Sequence, residues 1–283
     1  MISPTASVAR VETSTAPLLR LRGLTKTYRQ RHLWREDRPI HALENINLEI
    51  PAASTFALVG ESGSGKSTLA MCIAQLEALD AGEVWFKQKQ LTGLSSDELR
   101  HQRAKIQLIF QSSALALNPR FTTLEAVTEP LEIQGSAERS QQREIALECM
   151  RLTGLTPELA QQPILTLSGG QRQRLAIARA LTLSPELLIF DESFSGLDLI
   201  VQAQVLRLLA SLQKSRSLTY LLITHDLSLV IGFASHLAVM QSGRIVESGA
   251  VSEVLAHPQH AHTQALIAAM PKWPALQAAE SGA

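Results

Sequence analysis

The residue types best suited to chemistry fall in one stretch: Gly60, Glu61, Ser62, Gly63, Ser64, Gly65, Lys66 and Ser67, with Thr68 after them. Glycines at this spacing let successive backbone N–H groups turn toward one anion, and a helix starting at the end of the loop adds its positive dipole end. A lysine and a hydroxyl in the last two places suit a nucleoside triphosphate. Lys66 reaches the β- and γ-phosphates, and the Ser67 hydroxyl ligates Mg²⁺. The flanks agree with this use: Thr55 to Val59 is an apolar run of strand length, and Leu69, Ile73 and Leu76 recur at helical spacing beyond the loop. A flexible Gly/Ser linker needs neither flank.

The elements that must position this loop are legible around it. Leu18 to Tyr28 alternates like a strand, and His41 to Ile50 does so again after a basic stretch punctuated by Pro39. Gly82 to Phe86, with Leu91, adds a strand in an antiparallel layer, and Lys105 to Phe110 reads as another, ending at Gln111. The pattern from Ser112 to Pro163 is helical, over Leu124 to Leu131 and Glu138 to Thr153, with Gly154 as a C-cap. Beyond it, helical runs at Gln171 to Leu181 and Ile200 to Leu212 alternate with short buried strands at Glu186 to Phe190 and Leu218 to Ile223. Leu237 to Met240 and Ile245 to Glu247 flank a turn at Ser242-Gly243 and form a hairpin. Strands alternating with helices predict an α/β core with a mainly parallel sheet and the phosphate site at the carboxyl ends of its strands.

Bulk properties narrow the function. The chain has 283 residues, 45% of them apolar, which is ample for a packed core. Its formal net charge of zero removes the usual electrostatic argument for a nucleic-acid binder. No run approaches the ~20 apolar residues of a membrane helix. Residues 1–17, rich in Ser, Thr and Ala, read as a disordered tail. Cys72 and Cys149 lie on apolar helix faces and read as buried thiols.

A phosphate loop alone serves GTPases, kinases, helicases and transport ATPases. The discriminating stretch is Leu167, Ser168, Gly169, Gly170 and Gln171, which opens a helix and builds a second anion nest. One nucleotide has no use for two nests on one chain, so the second makes most sense serving another subunit's nucleotide. Here the sequence resembles the ATP-binding cassette (ABC) family, whose signature reads LSGGQ, from Leu18 to about Pro271. The resemblance implies a P-loop NTPase (RecA-like) core with an antiparallel β layer and an inserted α-helical subdomain at about 112–163. It divides the chain into a tail at 1–17, an ATPase domain at 18–250 and an extension at 251–283.

The resemblance also assigns roles. Tyr28 stacks on adenine, Gln111 touches Mg²⁺ and the attacking water, and Asp191 holds Mg²⁺ at the end of its strand. Glu192 activates water, a role typically worth ~10²–10⁴-fold. His225 hydrogen-bonds the γ-phosphate, and Asp198 belongs to the loop that crosses between two cassettes. Each site is then half-made, with loop, carboxylates and histidine from one chain and Ser168, Gly169, Gly170 and Gln171 from the other. ATP joins the cassettes and hydrolysis releases them. One departure is that Ser193-Phe194 follows Glu192 where the family usually has Pro-Thr.

Finer details are similar to the peptide and nickel importer subfamily: GESGSGKST at 60–68, Leu117-Asn118-Pro119-Arg120, and the tail from Pro258 to Pro271. Ser112 and Ala261-His262 depart from it. The implied protein is an ATPase subunit energising uptake of peptides, nickel or a small metal chelate. Its implied partners are a second, non-identical cassette, two membrane-spanning permease subunits and an extracytoplasmic substrate-binding protein, with no nucleic acid. It sits peripherally on the cytoplasmic face of the inner membrane. His257, His260 and His262 are expected to be structural or solvated rather than nickel ligands. The competing readings are a soluble ABC ATPase acting on nucleic acid or ribosomes, and a regulatory protein that binds ATP without turnover.

Overall fold

The structure is a computed structural model that describes residues 16–29, 39–110, 117–135 and 138–270. Its first elements are β1 (Leu19–Arg29), β2 (Pro39–Ile50), β3 (Thr55–Val59), α1 (Lys66–Ile73), β4 (Ala81–Phe86) and β5 (Lys89–Gln90). Next come α2 (Ser96–Lys105), β6 (Ile106–Ile109), α3 (Thr123–Gln134), α4 (Arg139–Leu152) and α5 (Gly169–Leu181). The remainder is β7 (Leu187–Asp191), α6 (Leu199–Arg216), β8 (Thr219–Thr224), α7 (Leu227–Val230), β9 (His236–Gln241), β10 (Arg244–Ala250), α8 (Val251–Ala256) and α9 (Ala261–Ala268).

Two sheets organise these elements. The larger runs β10-β9-β3-β8-β7-β6, parallel throughout except for β10, and the smaller is antiparallel, in the order β2-β1-β4-β5. This is the α/β architecture expected from the alternation of elements. Every residue of β3, β7 and β8 is buried, which is why these strands read as unbroken apolar runs rather than alternating ones. Their side chains still alternate by face. Leu187, Ile189, Leu221 and Ile223 join the core between the sheets, with Leu69 and Ile73 of α1 and Leu21, Leu43 and Val84 of the antiparallel layer. Leu188, Phe190, Tyr220 and Leu222 point the other way, into a core shared with Val127 of α3, Ala146 of α4, Ile177 of α5 and Leu209 of α6. Tyr220 satisfies its hydroxyl there by donating to Leu209 O at 2.8 Å.

The helical segment folds back on itself. Thr122 and Glu125 form a reciprocal capping box at the start of α3. The N–H groups of Thr123 and Leu124 donate to Gln162 O and Ala160 O, both at 2.9 Å, so the chain leaving α4 returns to the start of α3. Gly154, at φ +74°, ends α4 as expected.

One expectation fails locally, and one helix was not expected. Leu76 does not share the α1 face: the helix stops at Ile73, Gln75 turns through φ +56°, and Leu76 is left 53% exposed. Helix α2 was invisible to apolar periodicity because it buries none of its residues; a Ser95/Glu98 capping box starts it instead. Among the described residues, no helix is long and apolar enough to cross a membrane.

Candidate functional site

Parallel pairing brings four strand ends to one edge. Val59 is in register with Thr224, Asp191 with Ile223, and Ile109 with Phe190. The phosphate loop, the two carboxylates and His225 therefore leave the sheet side by side.

The loop between β3 and α1 is shaped by close backbone approach. A Cβ on Gly60 would lie 2.1 Å from Met240 O, and one on Gly65 would lie 2.2 Å from Ala42 O; both residues also have positive φ, +156° and +106°. Gly65 is the N-cap of α1 and supplies no side-chain cap, which leaves the first-turn N–H groups available to an anion. Lys66 is 4% exposed, and its Nζ donates to Gly60 O and Glu61 O, both at 2.8 Å. Burial lowers its pKa against the opposing pull of Glu192, Asp191 and Glu61. The Ser67 hydroxyl donates to Asp191 Oδ1 at 3.0 Å. Burial raises the pKa of Asp191, with the Ser67 hydrogen bond acting against it and the Glu192 charge reinforcing it.

Glu192 follows directly. Its N–H donates to Ile223 O at 3.0 Å, and its backbone has φ +46°. Its Oε1 lies 3.5 Å from His225 Nδ1, the histidine being largely exposed. A cavity of about 500 Å³ is lined by Tyr28, Ser62, Gly63, Gly65, Lys66, Ser67, Thr68 and Glu192. Lys26 Nζ lies 5.2 Å from the centroid of the Tyr28 ring. Lys26 is itself held by Glu77 at 2.6 Å and by Ala78 O at 2.7 Å.

Other predicted residues lie elsewhere. Ser168 and Gln171 satisfy each other in a capping box at the start of α5, with Ser168 N donating to Gln171 Oε1 at 2.8 Å and Gln171 N to Ser168 Oγ at 3.3 Å. Neither Ser168, Gly169, Gly170 nor Gln171 lines the cavity. Asp198 caps α6, accepting from Ile200 N at 3.1 Å and Val201 N at 2.9 Å. A Cβ on Gly170 would come within 2.6 Å of Val201 Cγ1, so α5 and α6 touch closely where these two motifs meet. Gln111 lies outside the described residues, as does Ser112. Glu61 is exposed, and Ser64 is buried within the loop, its carbonyl accepting from Gly243 N at 2.9 Å.

Sequence reasoning missed four cavity residues: Ile40, His41, Ala42 and Ser242. Ile40 pairs with Tyr28 across the β1–β2 ladder, a relationship that hairpin register alone could have suggested. Ser242 arrives through the β9–β10 turn, and no short-range signal announces it.

The residues present fit a Mg²⁺ ion. A hydroxyl and a carboxylate 3.0 Å apart are hard oxygen donors, and Mg²⁺ commonly takes one or two such groups and completes its shell with water and substrate phosphates. The histidines offer no comparable set. His260 Nδ1 accepts from His262 N, and His262 is 8% exposed. Among the described residues no group of three or more His, Cys, Asp or Glu is placed to hold a metal.

Comparison with known proteins adds independent findings. Residues 43–195 match the family model described as ABC transporter. The chain is 42% identical over 256 residues to a probable peptide ABC transporter ATP-binding protein, y4tS, of Sinorhizobium fredii, covering 90% of this chain and 72% of that one. It is 39% identical over 257 residues to the dipeptide transport ATP-binding protein DppF of Escherichia coli, covering 90% and 77%. Its fold superposes on a dimeric, post-hydrolysis ATP-binding cassette, MJ0796, bound to ADP and Pi, with a TM-score of 0.73, 32% identity, and coverage of 82% and 98%. Against cbiO1 of Clostridium perfringens, part of the transporter complex cbiONQ, the TM-score is 0.74 at 27% identity, covering 86% and 92%.

Proposed function

This chain belongs to the ABC transporter family as an ATP-binding, ATP-hydrolysing subunit, and from that premise we propose that it powers peptide import by closing against a second cassette. The observation that carries the two-cassette reading is an incomplete site. Lys66, Ser67 and Glu192 line one cavity, while Ser168 to Gln171 line none of it and form a cap of their own at the start of α5. A second chain's signature completes the site over the γ-phosphate, and the closing motion is the work delivered.

Within that site each residue has a task. The loop N–H groups and Lys66 bind the β- and γ-phosphates, and Tyr28 stacks on the base. Ser67 and Asp191 would hold Mg²⁺, which when bound neutralises charge on the phosphates. Glu192 orients a water and takes its proton as the water oxygen bonds to the γ-phosphorus and the bond to the β-phosphate oxygen breaks. His225, 3.5 Å from Glu192, donates to the γ-phosphate and keeps the carboxylate turned inward. Gln111 couples this chemistry to the segment between residues 112 and 130, where a permease docks.

Residues 18–250 serve as the ATPase domain, with the helical subdomain at about 112–163 and an extension beyond 250. Two permease subunits and an extracytoplasmic binding protein complete the importer, and the cassette sits on the cytoplasmic face of the membrane. Peptide cargo is favoured over nickel or a metal chelate by the names of the relatives. The test is transport by the complex purified through this chain and reconstituted in vesicles. ATP-driven uptake of a labelled dipeptide, with no uptake of radioactive nickel, is expected. Nickel uptake without dipeptide uptake reverses the cargo, and purification without any multi-span partner removes the importer.

A further inference from the structure

Glu192 has a left-handed backbone, φ +46°, which a residue with a side chain keeps only where its surroundings hold it. The bond from Glu192 N to Ile223 O secures the turn on the β8 side. On the β6 side the group in contact is Ser193. Its hydroxyl is buried, donates to Ile109 O at 2.6 Å, and lies 3.4 Å from Asp191 O. Ile109 is the last residue of β6, two positions before Gln111. Proline, the residue the family usually carries here, has no side-chain donor for this bond. The following residue, Phe194, is 2% exposed, with its ring 5.3 Å from Phe190. Ser193-Phe194 thus fastens the turn twice, to a neighbouring strand and to the core.

We propose that Ser193 is a positioning residue for hydrolysis: its hydroxyl ties the turn carrying Glu192 to the end of β6. The reach of the Glu192 carboxylate then follows any shift of the strand end that leads into Gln111. A buried hydrogen bond this short holds two strand ends in fixed separation, and catalytic groups misplaced by about 1 Å can lose up to ~10²-fold in rate. The inference rests on Glu192 acting on the attacking water.

The experiment measures steady-state ATP hydrolysis by the complex with the partner cassette, and Tm, with this chain as parent, Ser193→Ala, Ser193→Cys, Ser193→Thr or Glu192→Gln. Loss or weakening of the donor in the Ala and Cys variants is expected to lower kcat about 5–20-fold while KM for ATP stays within about two-fold. Threonine keeps the hydroxyl and is expected to stay within about three-fold of the parent. Cysteine has a longer bond to a larger, weakly donating atom, so its kcat is read beside its Tm; parental activity in Thr, which keeps the hydroxyl while adding volume, marks the hydrogen bond rather than the packing as the cause. Unchanged kcat in the Ala and Cys variants, a change in KM alone, or a Thr variant as slow as Ala overturns the role of Ser193. In those cases an inactive Glu192→Gln leaves the base assignment standing. An active Glu192→Gln overturns the base assignment and the role of Ser193 together.

Discussion

The Ser67 hydroxyl donates to Asp191 Oδ1 across 3.0 Å, joining the first turn of α1 to the last residue of β7. The two residues are 124 positions apart in the chain, and parallel strand order alone makes them neighbours. This bond partly compensates a carboxylate that burial would otherwise leave poorly solvated. On the proposed function the same pair would hold Mg²⁺.

The raised pKa of Asp191 has a consequence for stability. The folded chain holds this proton more tightly than the unfolded chain does. The stability it contributes is fully present below the ordinary aspartate pKa and is lost as pH rises through the raised value. At neutral pH the buried charge is therefore a cost to the fold. Asp191→Asn is expected to raise Tm of the nucleotide-free protein at neutral pH, an advantage that disappears in acid. The same variant should lose roughly 100-fold or more in Mg²⁺-dependent ATP hydrolysis. Thermal melts across pH, beside ATPase assays, check both; a lower neutral-pH Tm refutes the first.

Glu192→Gln should lower kcat by about 10²–10⁴-fold while leaving ATP binding intact, because the amide keeps its size and loses its basicity. His225→Ala removes the ring 3.5 Å from the same carboxylate and should reduce kcat by less. Steady-state kinetics with a separate nucleotide-binding titration distinguishes lost chemistry from lost binding. Parental turnover in Glu192→Gln would place the base elsewhere.

Much of this was legible because buried parallel strands must be apolar. Thr55–Val59, Leu187–Asp191 and Thr219–Thr224 announce themselves, and the polar residues directly after them are delivered to one edge. Helix α2 was not legible, since a helix that buries nothing carries no periodic signal. Its Ser95-x-x-Glu98 capping box was the available clue. Ile40 reaches the cavity from β2 and Ser242 from the β9–β10 turn, and such approaches depend on the tertiary arrangement. The fit of Ser193-Phe194 was likewise hidden, because Ile109 and Phe190 come from two different strands.

The loop glycines differ sharply in what they tolerate. Gly65→Ala sets a Cβ 2.2 Å from the Ala42 carbonyl at φ +106°, and although Met240 Cε, 2.8 Å away, can swing aside, the Ala42 backbone cannot. A loss of about 2–3 kcal/mol is expected, with ATP binding impaired. At Gly63 nothing lies within 4 Å of an added Cβ, so only the positive φ opposes alanine, at about 1 kcal/mol. Urea unfolding of the two variants should rank them in that order, and equal midpoints would contradict it.

Cys72 and Cys149 are both buried and unpaired. Burial pushes the Cys72 thiol up to about 12 and that of Cys149 to about 11. Reaction with a thiol reagent needs the thiolate and access to it. The native protein at neutral pH should therefore label at least roughly 100-fold more slowly than free cysteine, and both thiols should label at once in denaturant. Fast labelling of one thiol in native protein would mark an opening of its helix, α1 for Cys72 or α4 for Cys149.

The shared-site reading makes its sharpest prediction at two residues on different motifs. On that reading Lys66 would contact the phosphates from within the chain, whereas Ser168, capped against Gln171 on α5 and absent from the cavity lining, would serve a nucleotide held by another copy or a partner cassette. Lys66→Ala should weaken nucleotide binding itself, and with it any ATP-dependent dimer. Ser168→Arg should leave ATP binding by the separate chain nearly unchanged yet abolish the dimer, because the added bulk and charge lie at the face that closes. The discriminating sample pairs this chain with its partner cassette in the Glu192→Gln background, where slow hydrolysis preserves the closed state. Sedimentation with and without ATP reads the assembly, and a nucleotide titration reads the binding. If Ser168→Arg dimerises normally, the signature does not close on the partner's nucleotide, and Lys66→Ala would then report binding alone.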